Sequence, residues 1–299
     1  MGIDRRGFLK VSAAAGAGLA LRGGLAMAAG TKGGRLVVAR GESAPAITRA
    51  AVEALGGMAS FVSKGETVLI KPNIGWDRTP ELAANTNPEV VAEIARMCIE
   101  AGAGKVKVLD RTCNDPRRCY VQSGIEAALR PLKGVELRHI DERRFKNVSI
   151  GGRALKEWPL YSEVLEADRL INVPVAKHHG LARLTMSIKN WMGVMGGRRS
   201  AIHQKLDQAL ADLMLVIKPD LTVLDAVRIL VDNGPQGGDP KDVRRLDTVI
   251  AGTDQVAVDS YGATLFGLRG RDLGYVRAAE DMGLGTSDLS SLDIKEIRL

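Results

Sequence analysis

Short runs rich in Val, Ile and Leu alternate along this chain with amphipathic stretches of helical spacing, and that alternation limits the fold more than any other feature. "RLVVAR" (35–40), "ETVLIKPN" (66–73), "KVKVLD" (105–110), "VELRHID" (135–141), "EADRLINVPV" (166–175), "PDLTVLDA" (219–226) and "DTVIAG" (247–252) read as strands. Between them lie "APAITRAAVEALGG" (44–57), "NPEVVAEIARMCIEAGAG" (87–104), "YVQSGIEAALRPL" (120–132), "HQKLDQALADLMLVI" (203–217), "TDQVAVDSYGATLFG" (253–267) and "GRDLGYVRAAEDMG" (270–283). These carry apolar residues at a period near 3.6, and the second opens on Asn87-Pro88, a capping residue followed by a first-turn proline. Strands alternating with helices imply βαβ units. The expected fold is α/β: a mainly parallel sheet with flanking helices in Rossmann-like layers. The turn-rich "LVDNGPQGGDPKDV" (230–243) is a loop in position to act as a lid.

The strands share a second property: they end in polar side chains. "VLI" runs into Lys71, Pro72 and Asn73, and "KVKVL" into Asp110, Arg111 and Thr112. "LINVPV" runs into Lys177, His178 and His179, "LTVL" into Asp225, and "VIAG" into Thr253 and Asp254. In an open α/β sheet ligands bind outside the carboxyl ends of the strands. One polar strand end is ordinary solvated loop; five with Lys, Asn and His point to a site.

Within that site Lys71, Asn73, Lys177 and Asn190 are candidates to hold an anionic substrate. His178, His179 and Lys189 are candidate catalytic groups, with one of the two adjacent histidines expected to face inward. His203, Asp110 and Asp225 are candidate metal ligands. The bland alternatives are solvated lysines, a structural histidine, and His203 as a helix-capping residue. His139, in an alternating strand, reads as structural. "GVMGGRR" (193–199) is Gly-rich and basic and suits an oxyanion. No Walker sequence is present, no G-x-G-x-x-G follows the first strand, and G-x-S-x-G and H-E-x-x-H are absent, so ATP, NAD and those hydrolase chemistries are not supported.

At the N-terminus "DRRGFLKVSAAAGAGLALRGGLAMAAG" (4–30) has the paired arginines, the short apolar run and the small-residue end of a twin-arginine export signal. The run is interrupted by Arg22 and is too short to span a bilayer. The expected organisation is a signal peptide over 1–28 and one large α/β domain over 29–299, in a periplasmic or otherwise exported protein without a stable membrane span. Residues 1–28 carry Arg5, Arg6, Lys10 and Arg22 against Asp4, so the formal charge falls from +7 to +4 on cleavage. That mild excess, with aromatics at 4%, does not indicate nucleic acid. The three cysteines, Cys98, Cys113 and Cys119, form no C-x-x-C pair, so no iron–sulfur cluster is expected within this chain. Cys113 and Cys119 are able to form a disulfide in an oxidising compartment.

Four blocks carry a family resemblance: "VLIKPNIG", "NTNPEVVAEIARMCIEAGAGKVKVLD", "ADRLINVPVAKHHGLARLTMSIKNWMGVMGG" and "TDQVAVDSYGATLFG". They resemble the family catalogued as domain of unknown function 362. The most specific parts are Lys-Pro-Asn and Thr185-x-x-x-Lys189-Asn190-x-x-Gly193. The resemblance implies frequent export and, since many members are fused to four-iron ferredoxin modules, a ferredoxin-like or other redox partner. In order and spacing, His178 or His179, Lys189 and His203 are also similar to the cofactor-holding residues of nickel-pincer lactate racemases, although "TMSIKN" departs from their Gly-rich pattern. The expected function is a metal- or cofactor-dependent enzyme, of redox or isomerase type, acting on a small anionic substrate after passage through the twin-arginine machinery. The alternative is a non-catalytic carrier of a ligand or metal, or a maturation factor for a metalloprotein.

Overall fold

Val68, Leu69 and Ile70 are all fully buried, and they set the character of the sheet. A strand with no solvent face must be covered by helices on both sides, as parallel strands are. In the computed structural model, which describes residues 33–299, this run is the second of twelve strands. They are β1 (Gly33–Arg40), β2 (Thr67–Pro72), β3 (Lys105–Leu109), β4 (Val135–Arg138), β5 (Phe145–Ser149) and β6 (Glu157–Tyr161). Then come β7 (Arg169–Val173), β8 (Val175–His179), β9 (Arg183–Thr185), β10 (Leu221–Leu230), β11 (Val243–Gly252) and β12 (Leu292–Arg298). The export-signal reading lies outside the described residues.

The main sheet runs β12-β1-β11-β10-β7-β2-β3-β4 and is mostly parallel. β10, β7, β2, β3 and β4 all pair in parallel. β11 is antiparallel to both β10 and β1. β5 and β6 form a separate antiparallel pair. Successive residues alternate between two cores: Leu36, Val38 and Leu69 face one, and Val37, Ala39, Val68 and Ile70 face the other. Helix Pro88–Glu100 covers the second core, and its Asn87 cap accepts a 2.9 Å hydrogen bond from the Glu89 amide.

From β2 the chain steps outward to β3 and β4, then returns to β7 on the other side of β2. The order therefore reverses at β2, and such a switch point opens a crevice at the carboxyl ends of the strands. Beyond Pro174 the chain does not turn into a helix. It continues as β8, still beside β10, and folds back as β9, so a hairpin overhangs the crevice.

Two of the polar strand ends do not reach this edge. β10 extends to Leu230 because it keeps pairing with β11, which leaves Asp225 in mid-strand. There it accepts hydrogen bonds from the amides of Asn87 (2.7 Å) and Val227 (2.9 Å). Since β11 is antiparallel to β10, its carboxyl end lies at the opposite edge. Asp254 there caps helix Gln255–Thr264, accepting from Val256 (2.8 Å) and Ala257 (3.1 Å).

Candidate functional site

The crevice holds a cavity of about 250 Å³, small even for a ligand pocket. Its walls bring together Lys71, Asn73, Asp110, Lys177, His179, Lys189, Asn190 and His203, with Arg111, Cys113, Thr185, Gly193 and Arg199. His178 and Asp225 are not among the lining residues. A wider cleft adjoins it through Asp110, Arg111, Cys113 and Arg199. An open groove of about 720 Å³ elsewhere holds Arg269 and Arg271. Both are already paired, with Asp272 and with Glu280 and Asp281, and Arg277 shares the groove with Asp272 and Asp288.

The three lysines differ in how many of their three ammonium hydrogens are already used. Lys71, in the buried strand β2, donates to Pro72 O and Asn190 Oδ1 and is ion-paired with Asp110 Oδ1, each at 2.8 Å. It is saturated and serves as a structural strut. Lys177 reaches Asn73 Oδ1 at 3.0 Å and the Ala84 carbonyl, which leaves one hydrogen for a ligand. Lys189 is 8% exposed and has no hydrogen-bond or ion-pair partner among the described residues.

Desolvation sets the protonation of these amines. Burial, then repulsion from Lys189, lowers Lys177 to about 7. Burial lowers Lys189 to about 8, and the charges of Arg199 and Lys71 add to the shift while Cys113 opposes it. Lys71 is also pushed below its ordinary value by burial, against the pull of Asp110.

Asn190 was a candidate substrate ligand, but its amide is fully engaged. Its Oδ1 accepts from Lys71 and from Asn73 (3.1 Å), and its Nδ2 donates to Lys71 O (3.1 Å) and Asn172 Oδ1 (2.8 Å). Asn172 in turn donates to Ser187 O (2.9 Å) and to Gln255 Oε1 (3.3 Å), which also accepts 2.6 Å from Trp191. This network holds the short helix Ser187–Asn190 against the sheet. Asp259 fixes its start, taking the amides of Ser187 (2.7 Å) and Ile188 (3.0 Å). Gly193 passes so close to the ion pair that a Cβ would lie 1.8 Å from Asp110 Oδ1 and 2.5 Å from Lys71 Nζ. Asn172, Gln255 and Asp259 were not among the residues expected at the site. Asp259 lies inside an ordinary helical stretch and gives no local sign of its role.

The ring nitrogens can be assigned from their partners. His179 Nδ1 accepts from the amides of Leu181 (3.1 Å) and Ala182 (3.2 Å), so in the neutral ring the proton sits on Nε2. Burial and neighbouring lysines lower its pKa to about 3 and keep the ring neutral. His179 is thus a hydrogen-bond donor at Nε2. His203 contacts the Ser200 carbonyl through Nδ1 at 2.8 Å, which puts its proton there and leaves the Nε2 lone pair to act as a base. His178 turns from the cavity and accepts from the Gly234 amide at 3.1 Å. Arg199 is held by carbonyls of Arg111 (2.8 Å), Met192 (3.2 Å) and Thr112 (2.7 Å), with Cys113 Sγ at 3.3 Å. Cys98, Cys113 and Cys119 are free thiols.

These donors do not suit a divalent cation. Among the described residues no group of three or more His, Cys, Asp or Glu is gathered as ligands. Asp110 is committed to Lys71, and its other oxygen to the Ile74 amide at 2.6 Å. His179 presents N–H where a metal needs a lone pair. Asp225 lies outside the cavity walls.

Fold and site together define an α/β protein with a small, strongly cationic cavity at the switch point of its sheet. The chain belongs to the family described as Domain of unknown function (DUF362), whose model matches residues 68–264. It is 30% identical over 244 residues to the thylakoid-associated protein sll1697 of Synechocystis sp., covering 79% of this chain and 74% of that protein. Two solved structures are similar in outline. One is a protein of Thermotoga maritima, with a TM-score of 0.42 and 11% identity over 82% of this chain. The other is the lactate racemase apoprotein of Thermoanaerobacterium thermosaccharolyticum, at 0.44 and 13% over 82%. The chain spans only 60% and 56% of their lengths. Likeness at that level carries no argument about chemistry.

Proposed function

We propose that this cavity binds a small anion, of carboxylate or phosphate type, and that the protein is an enzyme acting on it. The observation that carries the reading is unmatched charge. Asp110 is the only carboxylate among the described lining residues, and Lys71 occupies it. Arg111 pairs outward with Glu142 at 3.1 Å. Lys177, Lys189 and Arg199 then share one small space with no carboxylate partner. Buried cations without counter-ions are costly, and an anionic ligand removes the cost.

In this reading Lys177 and Lys189 supply hydrogen bonds and charge, and Arg199 supplies charge. His179 Nε2–H donates to the ligand, and His203 Nε2 accepts a proton from it. The saturated Lys71 and Asn190 hold the frame. The proton donor and acceptor facing one cavity favour an enzyme over a carrier.

Calorimetric titration with acetate, malonate and phosphate tests the reading. One site per chain is expected, weakened tenfold or more in Lys177→Met, since a charge-assisted hydrogen bond contributes about 1.5–3 kcal/mol. Absence of any saturable binding by these anions would sink it. We also propose export by the twin-arginine route, on the strength of Arg5 and Arg6. Replacing both by Lys should leave the chain unprocessed inside the cell, as seen by fractionation and intact mass.

A further inference from the structure

Of all the polar groups in the cavity, Lys189 is the one whose place is hardest to explain by anion holding alone. The residue is 8% exposed and lines the cavity, and its amine has no partner among the described residues. A lysine that merely holds an anion gains from a nearby carboxylate or carbonyl that keeps it charged, as Lys71 has. Lys189 instead faces other cations, Lys71 and Arg199, and both disfavour its charged form. That environment turns an ammonium into a nucleophilic amine: desolvation and neighbouring positive charge together expose the lone pair. The frame around it is rigid, with Asp259 fixing the start of its helix and the next residue, Asn190, bonded on both sides of its amide.

Resting on the anion-binding reading, we propose that Lys189 forms an imine with the carbonyl carbon of a small 2-oxo carboxylate. His179 Nε2–H and the Arg199 charge hold the carboxylate. The Lys189 nitrogen lone pair forms a C–N bond to the adjacent carbonyl carbon, and the C=O π pair moves to oxygen, which takes a proton from the Lys177 ammonium. The nitrogen sheds a proton to His203 Nε2, giving a neutral carbinolamine. Its C–O bond then breaks as the hydroxyl takes the proton back from His203 Nε2 and leaves as water, the nitrogen lone pair closes the C=N bond, and the iminium nitrogen gives its remaining proton to the Lys177 amine. Nothing is oxidised or reduced, and the sum is amine plus ketone giving imine plus water. The depressed basicity of Lys189, at about 8, leaves part of the amine unprotonated at neutral pH. Lys189 and the groups that hold the carboxylate line one cavity of about 250 Å³, so the carboxylate and carbonyl of one small molecule can be engaged together.

The test is reductive trapping with sodium cyanoborohydride in the presence of pyruvate, read by intact mass and peptide mapping. Controls are acetaldehyde, which has the carbonyl alone, and lactate, which has the carboxylate alone. The expected result is one adduct per chain on Lys189, with the mass of pyruvate less one oxygen atom. Acetaldehyde should label Lys189 no faster than surface lysines, and Lys189→Arg should give no adduct while melting normally. Lactate binding by calorimetry separates the two levels of the argument. Saturable lactate binding without a Lys189 adduct overturns the imine and leaves the anion site standing. No lactate binding and no adduct overturns both. Labelling spread evenly over many lysines also overturns the imine.

Discussion

Lys177 and Lys189 couple ligand binding to protons, and the sign follows from their environment. Both bind an anion best when charged, yet burial lowers them to about 7 and about 8. Affinity for acetate, which does not titrate in this range, should therefore be greatest below pH 7 and fall as pH rises through 8, with proton uptake on binding near pH 7.5. Titrations in buffers of different ionisation enthalpy measure both; an affinity constant from pH 6 to 9 would contradict the assignment. Gly193 makes a second prediction at this scale. Its missing side chain is what lets Lys71 and Asp110 meet, so Gly193→Ala must displace one of them. Such overpacking costs about 1–3 kcal/mol. Denaturant unfolding should show that loss, and anion affinity should fall with it. That Lys71 and Lys177 approach the site can be read from their position just after apolar strand runs, whereas Lys189 lies in a short helix. That Lys71 is saturated cannot, because one of its acceptors, Asn190, lies 119 residues further on. The tautomer of His179 likewise depends on a hairpin turn that gives no period to read.

The short helix Ser187–Asn190 and the strands beside it show where local pattern suffices and where it does not. β2, β3 and β7 are legible as apolar runs because a strand buried on both faces has no polar alternation to confuse the reading. β8 and β9 are not, because they form a hairpin whose inner side chains are the polar residues of the site. β10 misleads, since Asp225 looks like a strand end and is instead accommodated by two backbone amides in mid-strand. The helix is too short to stand on propensity and relies on Asp259. That carboxyl is fully buried, and desolvation raises it to about 7, against hydrogen bonds from Ser187 and Ile188 that lower it. The unfolded chain releases this proton near pH 3.9 and the folded chain near 7, so its contribution is full below about 4 and lost as pH rises through 7. Asp259→Asn, which cannot ionise, should therefore gain melting temperature relative to the wild type between pH 4 and 8. A difference that stays flat, or runs the other way, would show that the carboxylate is ionised throughout.

Across the whole molecule, the cavity is where separately folded pieces must agree. Its walls come from β2, the segments after β3 and β9, the hairpin β8–β9 and the loop after β10, which contributes Pro235. The mostly parallel sheet places these ends together, while the antiparallel β11 sends Asp254 to the far edge. Alternation of strands and helices in the sequence foretells the first but not the second, because strand direction depends on pairing partners distant in the chain. An anion seated among these walls should stabilise the fold as a unit. At a concentration one hundred times its Kd, a ligand bound only by the native state adds about 2.7 kcal/mol. For a domain of this size each kcal/mol raises Tm by about 2–4 °C, so the rise should be about 5–10 °C. The same rise should appear by circular dichroism and by Trp fluorescence, because Trp191 is bonded through Gln255 to the sheet beneath the cavity. Lys177→Met should lose most of it. If fluorescence moves and circular dichroism does not, the hairpin and short helix melt apart from the sheet, and the site is a local unit resting on the core rather than part of one cooperative fold.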